Sequence, residues 1–118
     1  MRTSELLHTF NRETALDRVG GDDELLREVV ELYLSEYPGL LVQIEGAVRA
    51  QDAFRLQHAA HTLKGSLATL GAEAAAHQAL ELEIMARNEN LRGAPATLSR
   101  LLDALDGFHG ELGRFTRS

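Results

Sequence analysis

Cysteine and tryptophan are absent from the 118 residues, and proline and isoleucine occur twice each. A chain without cysteine has no disulfide framework, no thiolate zinc site and no cysteine nucleophile. Basic side chains are the minority, 12 against 18 acidic, for a net charge of −6. The basic residues are scattered rather than clustered, which argues against a nucleic-acid partner. No apolar run approaches the ~20 residues that span a bilayer, and Met1 to Phe10 has no apolar core of a signal peptide. No membrane association is expected, and a cytoplasmic location is. Glycine-rich nucleotide loops are missing too: there is no P-loop and no G-x-G-x-x-G, so no ATP site and no kinase activity of the chain's own are expected.

What is present points to helices. Leucine occurs 21 times and alanine 16 times, against five valines. Leu and Ala lose little entropy in a helix, whereas Val and Ile suit pleated strands, so an all-α domain is expected. Residues 1–118 fit one domain. A short helix is predicted over about 11–19, capped by Asn11 and ended by Gly20-Gly21. Asp22 opens a longer one, with Leu25, Leu26, Val29, Val30, Leu32 and Tyr33 at helical spacing and a kink expected at Pro38. Asp52 caps a third, with Leu56, Ala59, Ala60, Leu63, Leu67 and Leu70 on one face and Gly71 closing it. A fourth runs from about Ala72 to Arg87 with a stripe of alanines that lets helix axes approach closely. Pro95 suits the first turn of the last, marked by Leu98, Leu101, Leu102, Leu105, Phe108, Leu112 and Phe115. Short connections then give an antiparallel up-and-down four-helix bundle over about 22–115, with the short N-terminal helix packed across it.

A bundle supports many roles, so function has to come from a site. At 100° per residue His61 lies about 200° around its helix from Leu63, which turns it to water. Gln57, His58, Lys64, Gly65 and Ala68 surround it at helical-neighbour spacings. Gly65 interrupts a helix interior at a cost of about 0.5–1 kcal/mol relative to alanine. It clears space beside the imidazole, as an incoming phosphoryl group would require. Lys64 is the one lysine in a chain that otherwise uses arginine, and its flexible ammonium can follow phosphoryl oxygens. A solvated histidine is mostly neutral at pH 7, with one ring nitrogen free to attack phosphorus.

The run Ala60-His61-Thr62-Leu63-Lys64-Gly65-Ser66, followed by Leu70-Gly71-Ala72, resembles the signature of histidine-containing phosphotransfer (HPt) domains of bacterial phosphorelays. Leu82-Glu83 and the Asp22 to Tyr37 segment also fall where that family has similar residues. The resemblance implies that His61 accepts a phosphoryl group from an aspartyl phosphate on a receiver domain and passes it to another receiver. Lys64 would stabilise phosphoryl oxygens, Gly65 would give clearance, and Ser66 would add a hydroxyl hydrogen bond. Gln57, His58, Ala68 and Glu83 would belong to the partner-binding surface; Glu83 either hydrogen-bonds the imidazole or simply pairs with an arginine. The partners would be receiver domains of response regulators or of a hybrid histidine kinase. The domain would have no cofactor or metal of its own, the receiver supplying Mg²⁺.

Three other readings compete. His58 and His61, with His77 or Glu81, would be a metal site, but no Glu stands three residues before any of these histidines, as the Glu-x-x-His pattern of bundle di-metal centres requires. A helical scaffold without chemistry would bind partners through its apolar edge. A histidine-kinase dimerisation domain usually has an acidic residue after its histidine and two helices per chain; here Thr62 follows and four helices are available, so a monomer is expected. His8, His77 and His109 form no constellation by spacing and are taken as incidental surface or boundary residues.

Overall fold

The computed structural model describes residues 10–117, with side chains through Arg114. Five helices and no strand occur among the described residues: α1 (Arg12–Arg18), α2 (Asp23–Ala50), α3 (Ala53–Thr69), α4 (Glu73–Arg87) and α5 (Ala94–Arg117). The starts of the first three follow capping chemistry. The carboxyl or amide oxygens of Asn11, Asp22 and Asp52 accept from the backbone N–H of Thr14, Leu25 and Arg55 at 3.0–3.1 Å, satisfying amides that have no intrahelical partner. Gly20 and Gly21 follow α1 in the left-handed region.

α2 continues through Pro38. The proline lacks the N–H that would bond the Leu34 carbonyl, but the position is exposed, so water can serve that oxygen. Of the residues expected on its apolar stripe, Leu26, Val30 and Tyr33 are buried, whereas Leu25 and Leu32 are exposed at 41% and 57%. The inward line follows i, i+4, i+7, and Leu32 is about 200° around from Val30, beyond that line.

The core is built from one face of each long helix: Ile44 and Ala47 join the α2 residues, Leu56, Leu63 and Leu67 come from α3, Ala75, Ala79 and Leu82 from α4, and Leu101, Leu105, Phe108 and Leu112 from α5. Helices α2, α3, α4 and α5 each pack on the next, and α2 meets α5 to close the circuit; α1 rests on α2 and α3. The α3–α4 contact is the most extensive, as expected where buried Ala59, Ala60, Ala75 and Ala79 bring the axes together.

Gly71 is required at the α3–α4 corner. Its φ is +72°, and a Cβ there would stand 2.5 Å from the Asn11 carbonyl oxygen, while the Asn11 N–H donates to the Gly71 carbonyl at 3.1 Å. The start of α1 is thereby fastened to the end of α3.

His109 is not incidental. Its Nε2 lies 2.6 Å from the Tyr33 hydroxyl, and its ring packs on Tyr37 and Phe108 at centroid distances of 4.3 and 5.5 Å. Burial, partly offset by Asp106, holds its pKa below the usual histidine value. Burial and then the neighbouring Tyr37 push the Tyr33 phenol far up, so the phenol stays protonated and donates to the neutral ring. His77 pairs with Glu81 one turn on, at 3.1 Å; His8 lies outside the described residues.

Candidate functional site

His61 sits mid-way along α3 with Leu56, Ala60, Leu63 and Leu67 buried beneath, and its side chain is 65% exposed. The alanine seam brings α4 close enough for Glu83 to reach it: Glu83 Oε2 is 2.8 Å from His61 Nδ1. Glu83 is only 4% exposed. Lys64 Nζ lies 2.8 Å from its other oxygen, Oε1, and Arg87 Nη2 donates to Oε2 at 3.1 Å. Burial raises the Glu83 pKa, but hydrogen bonds and positive charge from Lys64 and His61 outweigh it and hold the carboxyl below the ordinary carboxylate value. It is ionised at neutral pH.

This fixes the chemistry of the ring. An ionised carboxylate only accepts, so Nδ1 carries the proton and donates to Glu83. Nε2 is then left with its lone pair, on the exposed edge of the imidazole. Lys64 Nζ is 3.5 Å from Nδ1; with Nδ1 protonated this is proximity rather than a bond, and it places a mobile cation beside the ring.

Gly65 adjoins the site in exposed helix, and a Cβ built on it would meet no atom within 4 Å. Helix packing therefore does not account for the glycine; the cleared space faces outward. Ser66 is not brought to His61. Five residues on, it lies about 140° around the helix, its hydroxyl donates to the Thr62 carbonyl at 3.4 Å, and it lines a hollow against α2 with Val29 and Tyr33.

Of the residues expected on the partner surface, His58 is exposed and Gln57 and Ala68 are half-buried. Glu83 is instead buried under the imidazole, because the α3–α4 seam closes over it, so both expected alternatives for it, a bond to the ring and an arginine pair, hold at once. Three neighbours escaped the sequence reading. Phe54 is 74% exposed and meets His58 edge to face at 4.4 Å; its position seven residues before His61, on the same face, was the available signal. Arg18 of α1 donates to the Ala68 carbonyl, a contact that no local spacing announces. Arg87 stands four residues after Glu83, the spacing of a helical ion pair. Among the described residues no three His, Asp or Glu side chains converge as metal ligands, and no described helix is long and apolar enough to cross a membrane.

The family model for the Hpt domain matches residues 28–111, a span that contains His61, Lys64, Gly65, Glu83 and Arg87. The chain belongs to the Hpt domain family. Membership gives it a histidine phosphotransfer role in phosphorelays. Among solved structures, histidine-containing phosphotransfer protein B (HptB) from Pseudomonas aeruginosa PAO1 superposes with a TM-score of 0.84 at 21% identity, covering 92% of this chain and 95% of that one. The HPT domain of a sensor hybrid histidine kinase from Shewanella gives 0.82 at 20% identity, covering 92% and 94%. At such identities these likenesses show the fold. Comparison with curated protein sequences gives no match. The Hpt match ends before the close of α5 and begins after α1, so the Gly71–Asn11 fastening attaches to the Hpt core a helix from outside the matched span.

Proposed function

We propose that the chain is a phosphorelay intermediate in which His61 Nε2 takes a phosphoryl group from the aspartyl phosphate of one receiver domain and delivers it to another. The observation that carries this is the pairing of buried Glu83 with Nδ1, which leaves Nε2 as the nucleophile on an open face. The Nε2 lone pair attacks phosphorus, the N–P bond forms, and the P–O bond to the receiver aspartate breaks with its electron pair staying on the carboxylate. The ring keeps its Nδ1 proton, becomes cationic, and gives Glu83 an opposite charge to hold. Delivery is the reverse reaction with a second aspartate. Such transfer depends on positioning and charge neutralisation more than on covalent help. Lys64 neutralises phosphoryl oxygens, and Gly65 leaves room for them and for the receiver loop. The receiver brings the Mg²⁺.

Phe54, Gln57, His58 and Ala68 flank His61 along α3 and form the surface on which receivers dock. The circuit of contacts and the short connections support an antiparallel arrangement of α2 to α5, and the carrier acts as a monomer of one domain. It has no kinase activity of its own. Incubation with labelled ATP should leave the protein unlabelled, whereas a phosphorylated receiver domain should label it in an acid-labile, alkali-stable form that His61→Gln abolishes. Full labelling of that variant would refute the assignment.

A further inference from the structure

Carrying phosphorus on His61 creates a conflict of charge. A phosphoryl group with nearly two negative charges is to be held on a ring whose Nδ1 is 2.8 Å from a fixed, buried carboxylate. With His61 neutral, Lys64 and Glu83 cancel, and the site as drawn from these three offers no net attraction. Lys64 is moreover engaged by Glu83 Oε1 at 2.8 Å. If it turns to the phosphoryl oxygens, it leaves a carboxylate oxygen with little access to water and without its cation, which is costly.

We propose that Arg87 is a positioning residue that holds the Glu83 carboxylate in place and balances its charge, releasing Lys64 to the phosphoryl group; the proposal rests on the carrier reading above. Arg87 already donates to Oε2 from one guanidinium nitrogen at 3.1 Å, with its side chain 54% exposed. A guanidinium is a planar fork that spans both oxygens of a carboxylate, which an ammonium does not. When Lys64 departs, Arg87 can pass from a single contact to a bidentate one, supplying Oε1 as well. Its place in the last turn of α4 favours a cation there independently. Counting Arg87, the site bears one net positive charge before the phosphoryl group arrives. Lys64 then accompanies the phosphorus as the N–P bond forms, while Glu83 stays bonded to the Nδ1–H of the now cationic ring.

The test is a cycle of Arg87→Gln, Glu83→Gln and the double variant in the full chain. Single-turnover transfer is followed from a receiver domain, charged with acetyl phosphate, that labels the wild-type protein. The half-life of the phosphohistidine is read in the same samples, below the melting temperature of every variant. Arg87→Gln should slow transfer about three- to tenfold, the order of one partly screened charge, and Arg87→Lys should recover part of the loss. In the Glu83→Gln background, with no carboxylate to hold, Arg87→Gln should change neither rate nor half-life. An equal factor in both backgrounds, or no effect in either, would overturn the proposal. Failure of every receiver in a panel to label wild-type protein would overturn the carrier reading itself, whereas a labelled wild type with an additive cycle removes only the role of Arg87.

Discussion

His61 and Glu83 are 22 residues apart in sequence and 2.8 Å apart in space, Nδ1 to Oε2, so the tautomer of a solvent-facing ring on α3 is set by a buried carboxylate on α4. Removing the acceptor should therefore act on chemistry more than on docking. Glu83→Gln retains an oxygen for the Nδ1 proton and should transfer within about tenfold of wild type; Glu83→Ala, which frees the ring to rotate and change tautomer, should lose about 10- to 100-fold, by analogy with removal of the carboxylate that orients a metal-bound histidine. Single-turnover rates at saturating receiver measure this. Equal rates for the alanine variant and wild type would show that the pairing is not used.

Gly65 separates stability from function. The glycine costs the helix about 0.5–1 kcal/mol relative to alanine, and a Cβ there meets nothing in the protein. Gly65→Ala should raise stability by about that amount in urea melts while slowing phosphotransfer, because in the proposed transfer the added methyl group occupies the clearance meant for the phosphoryl group and its carrier. A variant that is stabilised and transfers at the wild-type rate would contradict this use of the space.

The contact of Tyr33 with His109 makes stability depend on pH. His109 has a lowered pKa in the folded protein, so the unfolded chain binds its proton more readily. Its contribution is complete above the ordinary histidine value of about 6.5 and is lost as pH falls through the folded value below it. Thermal melts between pH 7.5 and 5 should show wild type losing more stability than His109→Gln, whose curve lacks this component. Parallel curves would mean the folded ring protonates as easily as the unfolded one. The Glu83 carboxyl, also lowered, adds a loss of the same sign at more acid pH, below the ordinary carboxylate range.

Helix number, caps and the exposed face of His61 were legible in the sequence because each depends on local chemistry: the side-chain oxygens of Asn11, Asp22 and Asp52, the left-handed Gly71, and a 200° rotation from Leu63. The outward turn of Leu25 and Leu32 was not, since a broad run of leucines fits more than one line along a 28-residue helix. The environment of Glu83 depends on how closely α3 and α4 approach, and although the alanine stripe announces a close approach, it does not give its register. The Tyr33–His109 contact joins residues 76 positions apart, beyond any spacing rule. Ser66 was placed beside the phosphoryl group by resemblance alone, and helix geometry turns it toward α2.

The proposed site of phosphorylation is His61 Nε2, with Nδ1 keeping its proton for Glu83. It is tested most directly by ¹⁵N and ³¹P NMR of histidine-labelled protein charged by a phosphorylated receiver domain. The expected spectrum has one phosphorylated histidine, His61, with the N–P coupling at Nε2 and a protonated Nδ1. Coupling at Nδ1, or at the ring of His58, His77 or His109, would contradict the account.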